Sequence, residues 1–121
     1  MVGLTFLRIT NSNLVDIDFL SNLIYLEHLD LFGNQIEDIS VVANMPNLVT
    51  LNIIGNRVVD ISPVSGLERL ANLHISSNRI NNLDALYDMS QLRVVTVNNN
   101  RVNRIQINRL QEMLPNTNIE Y

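Results

Sequence analysis

Apolar residues in this chain recur every 22 residues, in five successive copies without insertion or deletion. A repeat of this length indicates an architecture in which each copy packs against its neighbours. The apolar columns start at Leu4, Leu7, Ile9, Leu14, Ile17, Leu20 and Leu23, and the last two fail in the fifth copy at Asn108 and Gln111.

Each copy combines two local periods. Leu29 and Leu31 alternate with polar neighbours, which predicts a short strand with one buried face. Ile36, Ile39 and Val42 recur every third residue, which predicts a tight 3₁₀-like turn. Stacked copies of this unit predict one parallel sheet over one aliphatic core. Residues suited to N-cap positions begin the turns, namely Asp18, Ser40, Ser62 and Asp84, with Pro63 at a first helical position.

One column of the repeat is polar. It holds Asn34, Asn56, Asn78 and Asn100, with Ser12 in the first copy. These residues follow the strand, where backbone groups leave the sheet and still need partners. Because an Asn amide both donates and accepts, we predict an asparagine ladder that bonds neighbouring turns.

The pattern LxxLxLxxNxIxxI, seen in LEHLDLFGNQIEDI from Leu26 to Ile39, resembles the leucine-rich repeat family. The 22-residue period and the phrase VVDISPV, from Val58 to Val64, resemble bacterial internalin-type repeats. The resemblance implies an α/β leucine-rich-repeat solenoid with its parallel sheet on the concave face and short 3₁₀ or α turns on the convex face. It also implies protein binding at a bacterial surface or outside the cell. The same repeat occurs in intracellular regulators such as the leucine-rich subunit of protein phosphatase 1.

We expect residues 1–121 to form a single leucine-rich-repeat domain with repeats starting at 4, 26, 48, 70 and 92. Residues 108–121 are interpreted as a C-terminal cap, with a capping box from Asn108 to Gln111 and a final edge strand in NIEY. Only three residues precede the first strand, so the N-terminal end is expected to expose core. A truncated parent, a missing preceding domain and self-association of two N-terminal ends are the explanations left open.

Residues that alternate with the core positions are expected to face outward on the concave sheet. Phe6, Phe32 and Ile54 are large apolar residues at such positions, and exposed apolar clusters often mark interaction sites. The alternative is that they are ordinary scattered surface residues. The predicted partner-binding residues are His28, Asp30, Phe32, Thr50, Asn52, Ile54, Asn72, His74 and Ser76.

Composition limits the kinds of partner and reaction expected for the chain. The net charge of −4 argues against a nucleic-acid partner, and the absence of cysteine removes thiolate chemistry. His28 and His74 lie two strands apart, about 10 Å or more, which is too far for a shared metal ion. No nucleophile accompanies His28 and Asp30. We therefore expect no enzyme activity, cofactor or metal, and the lack of a long apolar run argues against membrane insertion.

Two charged columns flank the asparagine ladder. Arg57, Arg79 and Arg101 follow it in three successive copies, and they are interpreted either as an anion-binding row or as a solvated edge. Asp16, Asp38 and Asp60 are expected to accept hydrogen bonds from the local backbone. Three functions stay open: a secreted or surface recognition module, an intracellular regulatory scaffold, and a purely structural repeat segment of a larger or engineered protein.

Overall fold

The computed structural model of the protein describes residues 3–121, in which six parallel strands form one sheet in the order β1 to β6. Met1 and Val2, which precede the first predicted strand, lie outside the described residues. The strands are β1 (Phe6–Arg8), β2 (His28–Asp30), β3 (Thr50–Asn52), β4 (Asn72–His74), β5 (Val94–Thr96) and β6 (Asn118–Glu120). Between β1 and β5 the paired residues are 22 apart, for example Leu29 with Leu51, which confirms the predicted solenoid register.

Short 3₁₀ turns lie on the other side of the core, at Asp18–Leu20, Ser40–Asn44, Ser62–Val64 and Asp84–Leu86. The prediction that Asp18, Ser40, Ser62 and Asp84 are N-caps is wrong, because each is the first helical residue. An aliphatic residue precedes each turn and makes no side-chain cap. The cap comes instead from two residues upstream. Asp16, Asp38, Asp60 and Asn82 each accept the backbone N–H of the first turn residue, at 2.7 to 2.8 Å.

Aliphatic side chains fill the space between the sheet and the turns. Leu29, Leu51, Leu73 and Val95 point inward from successive strands and are essentially fully buried. Their counterpart in the first copy, Leu7, is only half-buried. The inward residues of that copy are therefore less covered than those behind them.

The asparagine ladder is present as predicted. The Asn56 side-chain oxygen accepts the Ile36 N–H at 3.0 Å, and its amide donates to the carbonyls of Leu31 and Ile53. Asn78 repeats this arrangement one copy later, on Val58, Ile53 and Ile75. Each amide therefore joins its own copy to the preceding one.

Just before this ladder the backbone turns through the left-handed region in every copy. The residues there have φ between 50° and 73° and are Asn11, Gly33, Gly55, Ser77 and Asn99. Glycine, asparagine and serine recur because bulkier side chains are strained in this conformation. At Gly33 a Cβ atom would also collide with the side chain of Asn11.

The fifth copy departs from the others. Helix α1 spans Arg104–Met113, and its capping box joins Asn103 to Gln106. The predicted capping box at Asn108 and Gln111 is therefore wrong. The helical period also turns Ile105, a predicted core residue, outward to 77% exposure, while Ile107 is buried. Within residues 3–121 no helix has the length and apolar character needed to cross a membrane.

The predicted final edge strand is present as β6, with a changed offset. Ile119 pairs with Val95, which is 24 residues earlier instead of 22. An even shift leaves the inward face unchanged, so Ile119 is still buried.

Candidate interaction surface

The concave face is the outward side of the sheet, and two columns of side chains cover it. Strand pairing aligns the members of each column, which confirms the predicted columns. The first consists of Phe6, His28, Thr50, Asn72 and Val94, and the second of Arg8, Asp30, Asn52, His74 and Thr96.

The N-terminal part of this face carries aromatic side chains. Phe6 is 51% exposed and Phe32 is 41% exposed. The rings of Phe6 and His28 lie 6.3 Å apart between centroids, tilted by 47°. The Arg8 guanidinium lies 5.6 Å from the Phe6 ring centroid. An apolar surface bordered by charge is therefore open to solvent here.

Asp30 is fixed on both oxygens. One oxygen lies 3.1 Å from the Arg8 Nε, and the other accepts the Phe32 N–H at 3.1 Å. The carboxylate thus holds the loop that presents Phe32 and orients Arg8 beside Phe6. The sequence pattern marked Phe6 as an apolar candidate, but neither Phe6 nor Arg8 is among the predicted partner-binding residues, although they stand in the same columns as His28 and Asp30.

The middle of the concave face is polar, and its side chains bond one another across strands. The Asn72 amide donates to the Thr50 hydroxyl at 3.3 Å, and His74 Nδ1 lies 3.3 Å from the Thr96 hydroxyl. Asn52 accepts the Ile54 N–H at 3.0 Å, as Asp30 does for Phe32. These bonds hold the side chains in place before any partner arrives, which reduces the entropy lost on binding.

Two predicted contact residues are less accessible than expected. Ser76 is only 5% exposed, and its hydroxyl donates to the Asn98 side chain of the next copy. Ile54 is half-buried. Among these three equivalent positions, each two residues after its strand, Phe32 is therefore the most exposed apolar side chain.

The chemistry on this face suits recognition. Among residues 3–121 no group of three histidine or carboxylate side chains is placed to hold a metal ion. The Asp30 carboxylate, considered as a partner for His28, is engaged by Arg8 and by the Phe32 backbone. The predicted partner-binding role of His28, Asp30, Phe32, Thr50, Asn52, Ile54, Asn72, His74 and Ser76 stays a prediction.

A groove lies away from the concave face. It measures about 550 Å³, opens on the flank between the third and fourth copies, and is lined by Val59, Asp60, Asn81 and Asn82 among others. A smaller groove of about 350 Å³ follows the same flank past Asp38 and Arg57. Sequence patterning did not reveal these grooves, because they arise from the space between successive turns. Hydrogen bonds from the Ser40 backbone and hydroxyl lower the pKa of Asp38.

Comparisons with known proteins agree with this geometry. A family model described as leucine-rich repeats (2 copies) matches residues 2–44 and 26–66, which together exceed half of the 121 residues. No curated relative matches the chain.

Solved structures of bacterial proteins are similar. An internalin, InlF, from Listeria monocytogenes is 30% identical with a TM-score of 0.84, over 89% of this chain and 32% of that protein. Internalin C2 from the same organism is 29% identical with a TM-score of 0.88, over 97% of this chain and 50% of that one. A leucine-rich repeat protein from Leptospira interrogans, 20% identical with a TM-score of 0.77, covers 98% of this chain and 37% of its own, and it shares the fold. The chain thus spans half or less of each of these proteins.

Proposed function

Because the chain belongs to the leucine-rich repeat family, we propose that it recognises a protein partner on its concave face. The repeats and the internalin neighbours support a protein-interaction module in general. The observation that carries the proposed location is the exposure of Phe6, whose ring lies near that of His28, and of Phe32, whose backbone is held by Asp30. Large aromatic residues supply much of the binding energy in protein interfaces when a partner covers them.

The contact surface that we propose changes along the sheet from apolar to hydrogen-bonding side chains. Phe6, His28 and Phe32 supply apolar contact at the N-terminal part. Thr50, Asn52, Asn72 and His74 supply hydrogen-bonding groups that are already oriented. Ser76 supports this surface through its hydrogen bond to Asn98. Residues 1–121 are proposed to act as one leucine-rich-repeat domain.

A matched pair of phenylalanines tests the location. A partner is captured from the native organism on the immobilised protein and then purified, and its affinity is measured by surface plasmon resonance. Phe32→Ala should weaken binding about tenfold or more, because a buried aromatic anchor is lost. Phe19→Ala, at a residue 60% exposed on a turn outside the sheet, should leave the affinity within about twofold. Equal affinities for wild type and Phe32→Ala would place the site elsewhere.

The cellular context is proposed to be the bacterial surface or the medium, supported by the two Listeria internalins. The alternative is an intracellular regulatory scaffold. Protease treatment of intact native cells separates the two contexts. Degradation of the protein, or its recovery from the medium, fits the first, and complete protection inside the cell fits the second.

Self-association is the second candidate, since Leu4, Leu7, Ile9 and Leu14 are only half-buried in the first copy. We propose that this side of β1 packs against a second copy of the chain. Sedimentation velocity over a concentration series would show a dimer whose population falls in Leu7→Asp. A monomer at all concentrations would exclude this role.

A further inference from the structure

A row of three arginines runs along the flank, immediately after the asparagine ladder. Arg57, Arg79 and Arg101 are all exposed. Their backbone N–H groups donate to Ile36, Val58 and Ile80 of the preceding copies, at 2.8 to 2.9 Å. These bonds keep the three positions in register, about 4.8 Å apart from one copy to the next.

Side chains in this row are close enough to contact one another. In the first two copies the Gln35 amide donates to the Asn13 side-chain oxygen at 3.4 Å. The next three copies carry arginine at the same position of the repeat. Like charges at this spacing repel one another, so the arrangement costs free energy in the isolated protein.

The positive charge of the row is not neutralised by close pairing. Within the described residues the one ion pair joins Arg8 to Asp30, and none involves the row. Arg57 borders a groove that also contains Glu37, Asp38 and Asp60. Arg79 and Arg101 do not line that groove.

The charge of the flank also changes sign along the solenoid. Three residues after the row position, the first three copies carry Asp16, Asp38 and Asp60, whereas the last two carry Asn82 and Arg104. A chain with a net charge of −4 therefore presents a local basic strip over its later copies. Such a strip attracts a short anion, while the overall charge repels a long polyanion.

We propose that Arg57, Arg79 and Arg101 bind an acidic segment of a protein partner. A guanidinium group binds a carboxylate through two parallel hydrogen bonds, which suits this row to Asp and Glu side chains. The row spans two strand spacings, about 10 Å, which equals the length of about three extended residues. The ligand is therefore a run of three or four acidic residues lying across the copies. This surface is distinct from the concave face, and it is tested separately.

Two triple variants with the same net charge test the proposal. The row variant combines Arg57→Gln, Arg79→Gln and Arg101→Gln. The control variant replaces three exposed arginines elsewhere, by Arg69→Gln, Arg93→Gln and Arg109→Gln. The probe is fluorescein-labelled hexaglutamate, followed by fluorescence anisotropy at low ionic strength, where surface charges are least screened. The row variant should bind about tenfold more weakly or worse, and the control should stay within about threefold of wild type.

Equal loss of peptide affinity in the two variants would mean that overall charge alone causes binding, and it would overturn the proposal. Failure of the wild type to bind the peptide would do the same. A six-nucleotide oligo-dT probe provides the second arm, and binding to the row as tight as that of hexaglutamate would overturn the assignment to an acidic peptide. Should the triple variant fold poorly by circular dichroism, Arg79→Gln alone should show about a threefold loss. Phe32→Ala should not change peptide binding, so the outcome is independent of the proposed concave site.

Discussion

Replacement of Asn78 by alanine tests the asparagine ladder most directly. Asn78 is 8% exposed, and its side-chain oxygen accepts the N–H of Val58, which is fully buried. That N–H has no other acceptor within residues 3–121, so the substitution leaves it without a partner. An unsatisfied buried backbone group costs about 1–3 kcal/mol.

The carbonyl groups that Asn78 contacts lose less. The Ile53 oxygen keeps its bond from Asn56, and the Ile75 oxygen keeps its bond from Asn100. Each therefore stays satisfied by one donor. We expect the orphaned Val58 N–H to dominate, so that Asn78→Ala lowers the free energy of unfolding by about 1–3 kcal/mol.

Urea unfolding followed by far-ultraviolet circular dichroism measures this difference. Asn81→Ala is the matched control, because Asn81 is exposed and only its backbone carbonyl is hydrogen-bonded. The control should change the free energy of unfolding by no more than about 0.5 kcal/mol. Equal midpoints for the two variants, at unchanged slope, would refute the assignment of Asn78 as an essential hydrogen-bonding residue.

Three further outcomes are expected. Gly33→Ala should lose about 1–2 kcal/mol because of its left-handed backbone, since the exposed Asn11 side chain that the new Cβ atom meets can move aside. Gly66→Ala in open space should change stability by less than about 0.5 kcal/mol. Ile107→Ala should lower the free energy of unfolding by about 2–5 kcal/mol in thermal or urea unfolding, and Ile105→Ala should leave it almost unchanged. The reverse order would contradict the position of α1. Hydrogen bonds from Ser40 lower the pKa of Asp38 below its ordinary value, so its stabilisation is present above that ordinary value and is lost as pH falls through the folded pKa. Asp38→Asn keeps the side-chain oxygen that accepts the hydrogen bond, so its free energy of unfolding should fall less than that of wild type between neutral and acid pH. The same fall in both proteins, measured by urea unfolding at each pH, would contradict this.

The strict period made most of the fold predictable. Once Leu29 and Leu51 occupy equivalent positions, the outward residues between them also align, and both columns of the concave face follow. The identity of the ladder residues follows equally, because buried turns require a side chain that donates and accepts.

The period misled where local helix formation replaced it. Asn103 with Gln106 and Asn108 with Gln111 carry the same capping pattern. The first pair is used, and Gln106 also donates to the Asn81 carbonyl of the previous copy. The spacing of Ile107, Leu110 and Leu114, all buried, is the sequence feature that favours the earlier start.

Accessibility within the site was the least predictable property. Ser76 and Phe32 occupy equivalent positions, yet one is buried and the other exposed. The small Ser76 side chain is hydrogen-bonded to Asn98 of the next copy, whereas the Phe32 ring is large and apolar, and such differences between variable residues have no period.

The asparagine ladder makes each copy depend on the copy that follows it. Each turn is satisfied by the asparagine of the copy that follows it, so Ile36 relies on Asn56, Val58 on Asn78 and Ile80 on Asn100. A copy is thus complete only when its successor is folded. In the fifth copy the chain instead begins α1, and Asn103 and Gln106 satisfy the backbone within a single turn. New copies inserted before α1 would keep an asparagine in the following copy for each turn. Copies added after α1 would first need a turn to replace the helix and its capping box.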